Sequence, residues 1–431
     1  MNRRAFLLST AGLAATPGGP LPVGTDLTPP AIPDHPAELA TWLAGFRPKA
    51  IAAGIRSETV DGAFSGMIPD PVVTRRDSNQ PEFSKPIGDY ISAVASPGAI
   101  SLGAARLSAM SAVLTQVSAQ SGVPAEIIVA IWGIESGYGR ETGSMDVIRS
   151  LTTMALAGRR QVLAEQELIS ALRILDQGLA TRAQLKGSWA GAMGQTQFLP
   201  SDYLAYAVDG DGDGRRDIWG SSTDALASTA RFLQAKAHWR PQESWALEAV
   251  LPEGFDYALA DADARPPLDW LAMGVSLAPG IEFTARDSEE EAVLLLPAGW
   301  RGPAFMALPN HMAIRAYNNS TAYALAVGRL ADGIAGRGPL HAGWPKDPPL
   351  ALSERIAAQQ ALKTLGFDPG STDGVLGVRT RKAAKAWQGS RGLPADGYLN
   401  LDLIRDLKAE AGLSAGAPPA AAPPAASASA G

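Results

Sequence analysis

Val123-Pro124-Ala125-Glu126-Ile127-Ile128-Val129-Ala130-Ile131-Trp132-Gly133-Ile134-Glu135-Ser136-Gly137-Tyr138-Gly139-Arg140 is an apolar run that closes on a single acidic side chain. The run predicts a buried helix. Pro124 suits its first turn, and Gly137 and Gly139 suit its stop. Glu135 therefore falls at the C-terminal end of a greasy helix, where desolvation and the negative end of the macrodipole both disfavour a carboxylate. Each effect raises a pKa, and a carboxylic acid kept protonated near neutral pH is the group that glycosidic bond cleavage needs. The same letters taken alone fit a surface glutamate at a frayed helix end, so the rest of the chain has to decide.

With 431 residues the chain has room for two or three domains, each with its own core. An apolar content of 46% against 19% charged residues marks a soluble globular protein, and 45 Gly with 33 Pro require much loop. A net charge of −6 argues against electrostatic capture of nucleic acid or of an anionic membrane. The absence of cysteine excludes disulfides, thiolate metal sites, a cysteine nucleophile and lipid attachment through an N-terminal Cys. Met1 to Ala15 carries Arg3-Arg4, a short apolar run and small residues, the pattern of a bacterial export signal resembling the twin-arginine type. The run is too short to span a membrane, and no later apolar run is long enough to do so. The expectation is a soluble periplasmic protein with no transmembrane anchor.

Residues 1–30 read as signal and Pro/Gly-rich linker. Helical spacing dominates from about Pro36 to Arg240, for example at residues 37–43, 105–114 and 162–172, where apolar residues recur at three and four. Between about 241 and 305 the character changes. Ala292-Val293-Leu294-Leu295-Leu296 predicts a short buried strand among Pro- and Asp-rich turns, hence a small mixed insertion. Helical pattern returns at residues 322–330. Gly343-Trp344-Pro345-Lys346-Asp347-Pro348-Pro349 then marks a boundary, because its prolines forbid a helix or central strand. Residues 350–413 form a further small unit of short helices punctuated by Asp-Gly turns. The Ala/Pro/Ser-rich tail, 414–431, has the composition of a disordered segment.

Asp209-Gly210-Asp211-Gly212-Asp213-Gly214-Arg215-Arg216-Asp217 puts carboxylates at loop positions one, three, five and nine and a glycine at six, the spacing of an EF-hand calcium loop. Arg215, at position seven, would offer only its backbone carbonyl. Position twelve is Gly220 instead of the usual bidentate Glu, so Asp224 is the candidate to close the site, and it also stands where it would cap the following helix. Four alternating carboxylates repel one another without a cation, which favours Ca²⁺ in a structural role over an empty Asp/Gly turn.

Two other stretches carry suitable chemistry. Gly187-Ser188-Trp189-Ala190-Gly191-Ala192-Met193-Gly194-Gln195-Thr196-Gln197-Phe198-Leu199-Pro200 combines small residues, which let a ligand approach the backbone, with Ser and Gln able to bond sugar hydroxyls or an acetamido group. Tight helix packing explains it as well. In Ala313 to Tyr323, Asn318 offers a donor and an acceptor, and tyrosine rings can stack on sugar faces. A capped loop before a helix accounts for that stretch equally. His35, His238, His311 and His341 show no metal spacing and read as surface or satisfied residues. A glycosidase with paired carboxylates needs a second Asp or Glu across the bond, and neither Glu141 nor Asp146 is singled out for that role.

Together these pieces resemble the membrane-bound lytic murein transglycosylase B family, lysozyme-like enzymes of glycoside hydrolase family 103. The matching residues are Glu135-Ser136-x-Tyr138-Gly139-Arg140, then Arg159-Arg160, then Gly187-Ser188-x-Ala190-Gly191-Ala192-Met193-Gly194-x-x-Gln197-Phe198-x-Pro200, then Tyr206-Ala207-Val208-Asp209 with the Asp/Gly loop, and finally Tyr317-Asn318-x-Ser320-x-x-Tyr323. The C-terminal unit resembles a peptidoglycan-binding module through Gln360-x-Leu362-x-x-Leu365-Gly366, Asp373-Gly374-x-x-Gly377, Trp387-Gln388 and Asp396-Gly397. The resemblance implies a mainly α (α+β) fold. It comprises a lysozyme-like catalytic domain over 31–343, with the mixed α/β insertion at about 241–305, and a three-helix peptidoglycan-binding module over 350–413.

The implied activity is non-hydrolytic cleavage of the bond between N-acetylmuramic acid and N-acetylglucosamine in peptidoglycan, leaving 1,6-anhydro ends. Glu135 would be the sole general acid and base, with Ser188, Gln197, Tyr317, Asn318 and Tyr323 lining the site and Arg159 and Arg160 bordering the glycan groove. Asp209, Asp211, Asp213, Arg215, Asp217 and Asp224 would hold Ca²⁺, with no organic cofactor. The implied partners are peptidoglycan strands and unspecified wall-remodelling proteins, with no nucleic acid. A hydrolase of the same fold and a non-catalytic wall-binding protein are the rival readings.

Overall fold

The computed structural model of this chain describes residues 36–78, 85–156 and 160–413. The export signal with its linker, residues 1–30, the tail, 414–431, and Arg159 lie outside the described residues.

Six helices lead up to the quoted stretch: α1 (Pro36–Ala52), α2 (Ser57–Phe64), α3 (Pro71–Ser78), α4 (Ile87–Val94), α5 (Pro97–Ala109) and α6 (Ser111–Ser121). The stretch itself is α7 (Ala125–Ser136), followed by β1 (Met145–Asp146), α8 (Val147–Leu156), α9 (Gln161–Asp176), β2 (Lys186–Gly187), α10 (Pro200–Tyr206) and α11 (Ser222–Ala235). Next come β3 (Ala246–Val250), α12 (Pro267–Ala272), β4 (Ser276–Leu277), β5 (Val293–Leu295), β6 (Ala304–Ala307), α13 (Pro309–Tyr317) and α14 (Thr321–Ile334). The chain ends in α15 (Leu352–Thr364), α16 (Val378–Ser390) and α17 (Leu401–Glu410).

α7 is the axis of the main core. Every residue from Ile127 to Trp132 is buried, as an apolar run without a polar face demands, and α5, α6, α11 and α14 pack around it. Each buried Ile or Val there contributes about 1.5–3 kcal/mol of transfer free energy. Pro124 precedes the helix as its N-cap. Gly137 ends it in the left-handed conformation, at φ 56°, with its N–H on the carbonyls of Gly133 and Trp132. Glycine reaches that conformation without a Cβ penalty.

The helical pattern over 105–114 is not one helix. It breaks at Met110, which ends α5 and begins α6, and the two axes meet at 86°. Local spacing does not reveal the break because its cause is tertiary: α5 lies along α14 while α6 lies along α11. No single helix among the described residues is long and apolar enough to cross a membrane.

The mixed insertion is a four-stranded antiparallel sheet in the order β4-β3-β6-β5, with Ala246 opposite Ala307 and Leu295 opposite Phe305. Its own core gathers Leu294, Leu296, Met306 and the fully buried Trp270. His311, expected at the surface or satisfied, is buried beside the Trp245 ring, and neither ring nitrogen has a protein partner. Burial lowers its pKa to about 3, so it is neutral.

The last three helices close a separate small core on Leu362, Ala384, Trp387 and Leu407. This unit is docked on the insertion rather than merely tethered to it. Arg381 donates to the Asp261 carboxylate (2.7 Å) and to the Leu296 carbonyl (3.0 Å), Lys385 donates to the Ala260 carbonyl, and the buried Asp396 accepts from the Trp300 N–H (2.9 Å).

Candidate active site

The turn after α7 fixes where Glu135 stands. Tyr138 follows Gly137 in the left-handed region, at φ 63°, and its ring meets Trp132 edge-on, centroids 5.4 Å apart. A tyrosine there carries backbone strain of order 1 kcal/mol, which this packing offsets. The Ser136 hydroxyl donates to the Trp132 carbonyl (3.1 Å) and accepts from the Gly139 N–H (3.1 Å), tying the turn back to the helix.

Glu135 is half-buried, and its Oε1 accepts a 2.6 Å hydrogen bond from the Tyr323 hydroxyl. Tyr323 comes from the first turn of α14, where the Ser320 hydroxyl caps the helix by accepting from the Tyr323 N–H. Tyr323 is fully buried, and burial first, then the Glu135 charge, push its pKa well above the ordinary tyrosine value. It keeps its proton and acts as a permanent donor that orients the carboxylate.

The glycine-rich segment folds over this corner. Met193 and Phe198 exchange backbone hydrogen bonds (2.8 and 3.1 Å) around a tight turn holding Gln195, Thr196 and Gln197. Gln197 sits in the left-handed region, and its amide donates to the Gly194 and Thr142 carbonyls. The Tyr317 hydroxyl donates to the Thr196 carbonyl (2.6 Å), which joins α13 to the same turn. Ser188 is half-buried, its hydroxyl accepting from the Ala190 and Ala192 N–H groups.

Tyr317 and Tyr323 are both completely buried, so neither offers a ring face to a sugar; they brace the site, contrary to the stacking expected of them. Asn318 lies between them. It is 1% exposed, and neither its amide oxygen nor its amide nitrogen has a protein partner. Arg160 stands 3.7 Å from Asp77. Of the two acids near Glu135 in sequence, Asp146 is engaged by Arg182 (2.6 Å) and the Arg149 N–H, while Glu141 is exposed.

In the Asp/Gly loop, one carboxylate oxygen each from Asp209, Asp211 and Asp213 lies within 4.8 Å of the others, all three being exposed. Asp209 accepts from the Gly212, Asp213 and Gly214 N–H groups, which holds the loop in its curve. Arg215 is exposed, and its N–H donates to Asp213. Asp217 turns to the N–H groups of Trp219 and Gly220. Asp224 is buried beneath the loop, accepting from Gly210, Asp211 and Asp217, and burial raises its pKa. It does not cap α11; that role falls to Ser221, whose hydroxyl accepts from the Asp224 N–H (3.2 Å).

Sequence reasoning left the bracing roles of Ser136 and Gln195 unread. Ser136 was visible only as part of a motif. Gln195 stood out as a polar residue in a tightly packed stretch, but its main partner, Trp132, is far away in the chain: the Trp132 indole donates to its Oε1 (2.9 Å).

Comparison with known proteins gives matches along nearly the whole described chain. The transglycosylase SLT domain family matches residues 38–332, and a peptidoglycan binding domain family matches residues 352–407. The crystal structure of SltB3 from Pseudomonas aeruginosa, in complex with NAG-anhNAM-pentapeptide, is 47% identical with a TM-score of 0.81, over 86% of this chain and 99% of that one. A Pseudomonas aeruginosa SltB3 complex with NAG-NAM-pentapeptide superposes equally well, also at a TM-score of 0.81. Escherichia coli Slt35, in complex with calcium, is 28% identical with a TM-score of 0.59, over 71% of this chain and 94% of that one. Membrane-bound lytic murein transglycosylase B of Escherichia coli K12 is 33% identical over 222 residues, which make up 50% of this chain and 58% of that protein. The match thus spans little more than half the length of that curated relative.

Proposed function

Because the chain belongs to the transglycosylase SLT domain family and ends in a peptidoglycan binding domain, we propose that it is a lytic transglycosylase cleaving the MurNAc-β-1,4-GlcNAc bond of peptidoglycan to 1,6-anhydro-MurNAc ends. The observation that carries this reading is Glu135, placed at the end of the buried α7 and oriented by the Tyr323 hydroxyl at 2.6 Å. Glu135 gives its proton to the glycosidic oxygen as the bond breaks. The muramyl acetamido group supports the positive charge that develops on the sugar. The Glu135 carboxylate then takes the proton of the muramyl 6-hydroxyl as that oxygen closes on the anomeric carbon. One carboxyl serves as acid and then as base, and no water enters. That Asp146 is committed to Arg182 and Arg149 fits a single-carboxyl site.

Asn318 supplies the missing half of a polar contact, because its buried amide lacks any protein partner for either atom. Ser188 and Gln197 shape the neighbouring wall, and Arg160 borders the groove. The C-terminal unit holds the enzyme on the wall at a fixed orientation and raises the local concentration of glycan. Its site of action is the periplasm.

Digestion of purified sacculi with the full chain, read by mass spectrometry, tests the reaction. Anhydro-muropeptides are the expected products. Products heavier by one water, in place of the anhydro forms, would establish the hydrolase reading instead.

The Asp/Gly loop fits a hard cation. Three acidic oxygens lie close enough to share one ion, and oxygen donors suit Ca²⁺. Asp209, Asp211 and Asp213 would hold it, aided by the Arg215 carbonyl and by Asp217, with Asp224 shaping the loop from below. The ion would supply charge neutralisation and rigidity. At about a hundred times its Kd, a ligand bound only to the folded state stabilises by about 2.7 kcal/mol. Chelation should therefore lower the Tm by on the order of 5 °C, and a Tm indifferent to both chelator and added Ca²⁺ would rule the ion out.

A further inference from the structure

The Gln195 side chain bridges α7 and the loop that follows the Asp/Gly stretch, and its backbone N–H donates to the Ile218 carbonyl of that loop (2.8 Å). It is 4% exposed. Its Oε1 accepts from the Trp132 indole (2.9 Å) and from the Ser222 hydroxyl (3.1 Å), and its Nε2 donates to the Trp219 carbonyl (3.2 Å). An indole N–H can only donate, so the amide oxygen must face Trp132 and the nitrogen must face Trp219. The same oxygen packs so closely on the turn after α7 that a Cβ on Gly139 would come within 2.5 Å of it. On one side of Gln195, then, stands Trp132, one helical turn before Glu135 and a neighbour of it on the α7 surface.

On the other side stand groups tied to the Asp/Gly loop. The Trp219 N–H donates to Asp217 (3.0 Å), and Ser221, adjacent to Ser222, donates its hydroxyl to Asp211 (2.7 Å). The carboxylates that would hold a cation are thus one peptide away from the two groups that Gln195 grips.

We infer that Gln195 is a positioning residue that couples the Asp/Gly loop to α7, so that the state of the loop is transmitted to Glu135. The inference deepens the proposed function and rests on it for the role of Glu135. Gln195→Met keeps the length and packing of the side chain while removing its strong donor and acceptors.

The test uses the full chain, with Ca²⁺ as the probe. In the wild type, Ca²⁺ should shift the Trp132 indole N–H resonance, assigned by its loss in Trp132→Phe. In Gln195→Met that shift should vanish, although Ca²⁺ still raises the Tm. The variant should also lose about tenfold in kcat on soluble glycan strands, with KM within about twofold, the signature of a group that acts on the reacting geometry and not on substrate binding. A wild-type kcat in Gln195→Met overturns the inference. So does a Trp132 resonance that ignores Ca²⁺ in the wild type, or one that still responds in the variant. If the wild type itself cleaves nothing, the proposed function fails, and the resonance arm still judges the coupling.

Discussion

Glu135→Gln is expected to lower the rate of glycan cleavage by at least about a thousandfold, because one side chain serves as both the acid and the base and each role is worth about a hundredfold or more. Glutamine has the same shape and keeps an oxygen to accept the Tyr323 hydroxyl at the position now held at 2.6 Å. The variant should therefore fold, melt within a few degrees of the parent and still sediment with sacculi through its C-terminal unit. Release of soluble muropeptides from labelled sacculi measures the loss. Retention of a tenth of the activity or more would show that Glu135 is not the proton donor, whereas a parent protein that releases no muropeptides would return it to the wall-binding class. Tyr323→Phe sharpens the test. It leaves the ring in its pocket and removes only the donor, so cleavage should fall by about tenfold, in proportion to the loss of a single orienting hydrogen bond.

The core of this site was legible for a local reason. A helix with an apolar run through its middle, stopped by a glycine, places its last acidic residue at the helix end, and both features lie within the span from Val123 to Gly139. The role of that residue had to come from the rest of the chain. What escaped was decided by distant partners. Nothing near Met110 announces the 86° bend, because it serves contacts with α11 and α14. Asp224 and Ser221 both have the chemistry of a helix cap. The choice of Ser221 follows from Asp224 being drawn under the loop by three backbone N–H groups. The chemistry of residues 313–323 and the family resemblance both single out the tyrosines, and neither says anything of burial. Their role as braces follows from two contacts across the fold, Tyr317 to Thr196 and Tyr323 to Glu135.

Asn318→Leu separates function from stability most clearly. A buried amide with both polar atoms unpartnered costs on the order of 1–3 kcal/mol relative to an apolar side chain of similar size. Asn318 is such a residue, 1% exposed, with only its backbone carbonyl engaged, by the Ser320 N–H at 2.7 Å. Leucine has a similar volume and no polar atoms, so the variant should unfold at a higher denaturant concentration than the parent. A side chain that costs stability persists where it is used, and Asn318 lies in the chain between the two tyrosines that clamp the site. A sugar acetamido or hydroxyl, reached directly or through one bound water, supplies the partner that the protein withholds. A site that has given up its own hydrogen bonds to match a substrate group loses strongly when the match is removed, so cleavage should fall by about a hundredfold. Denaturant midpoints and initial rates on the same preparation read both effects. A variant that is less stable and fully active would make Asn318 a structural residue with an unseen internal water, whereas one that is more stable and nearly inactive identifies its amide as a group kept for the substrate.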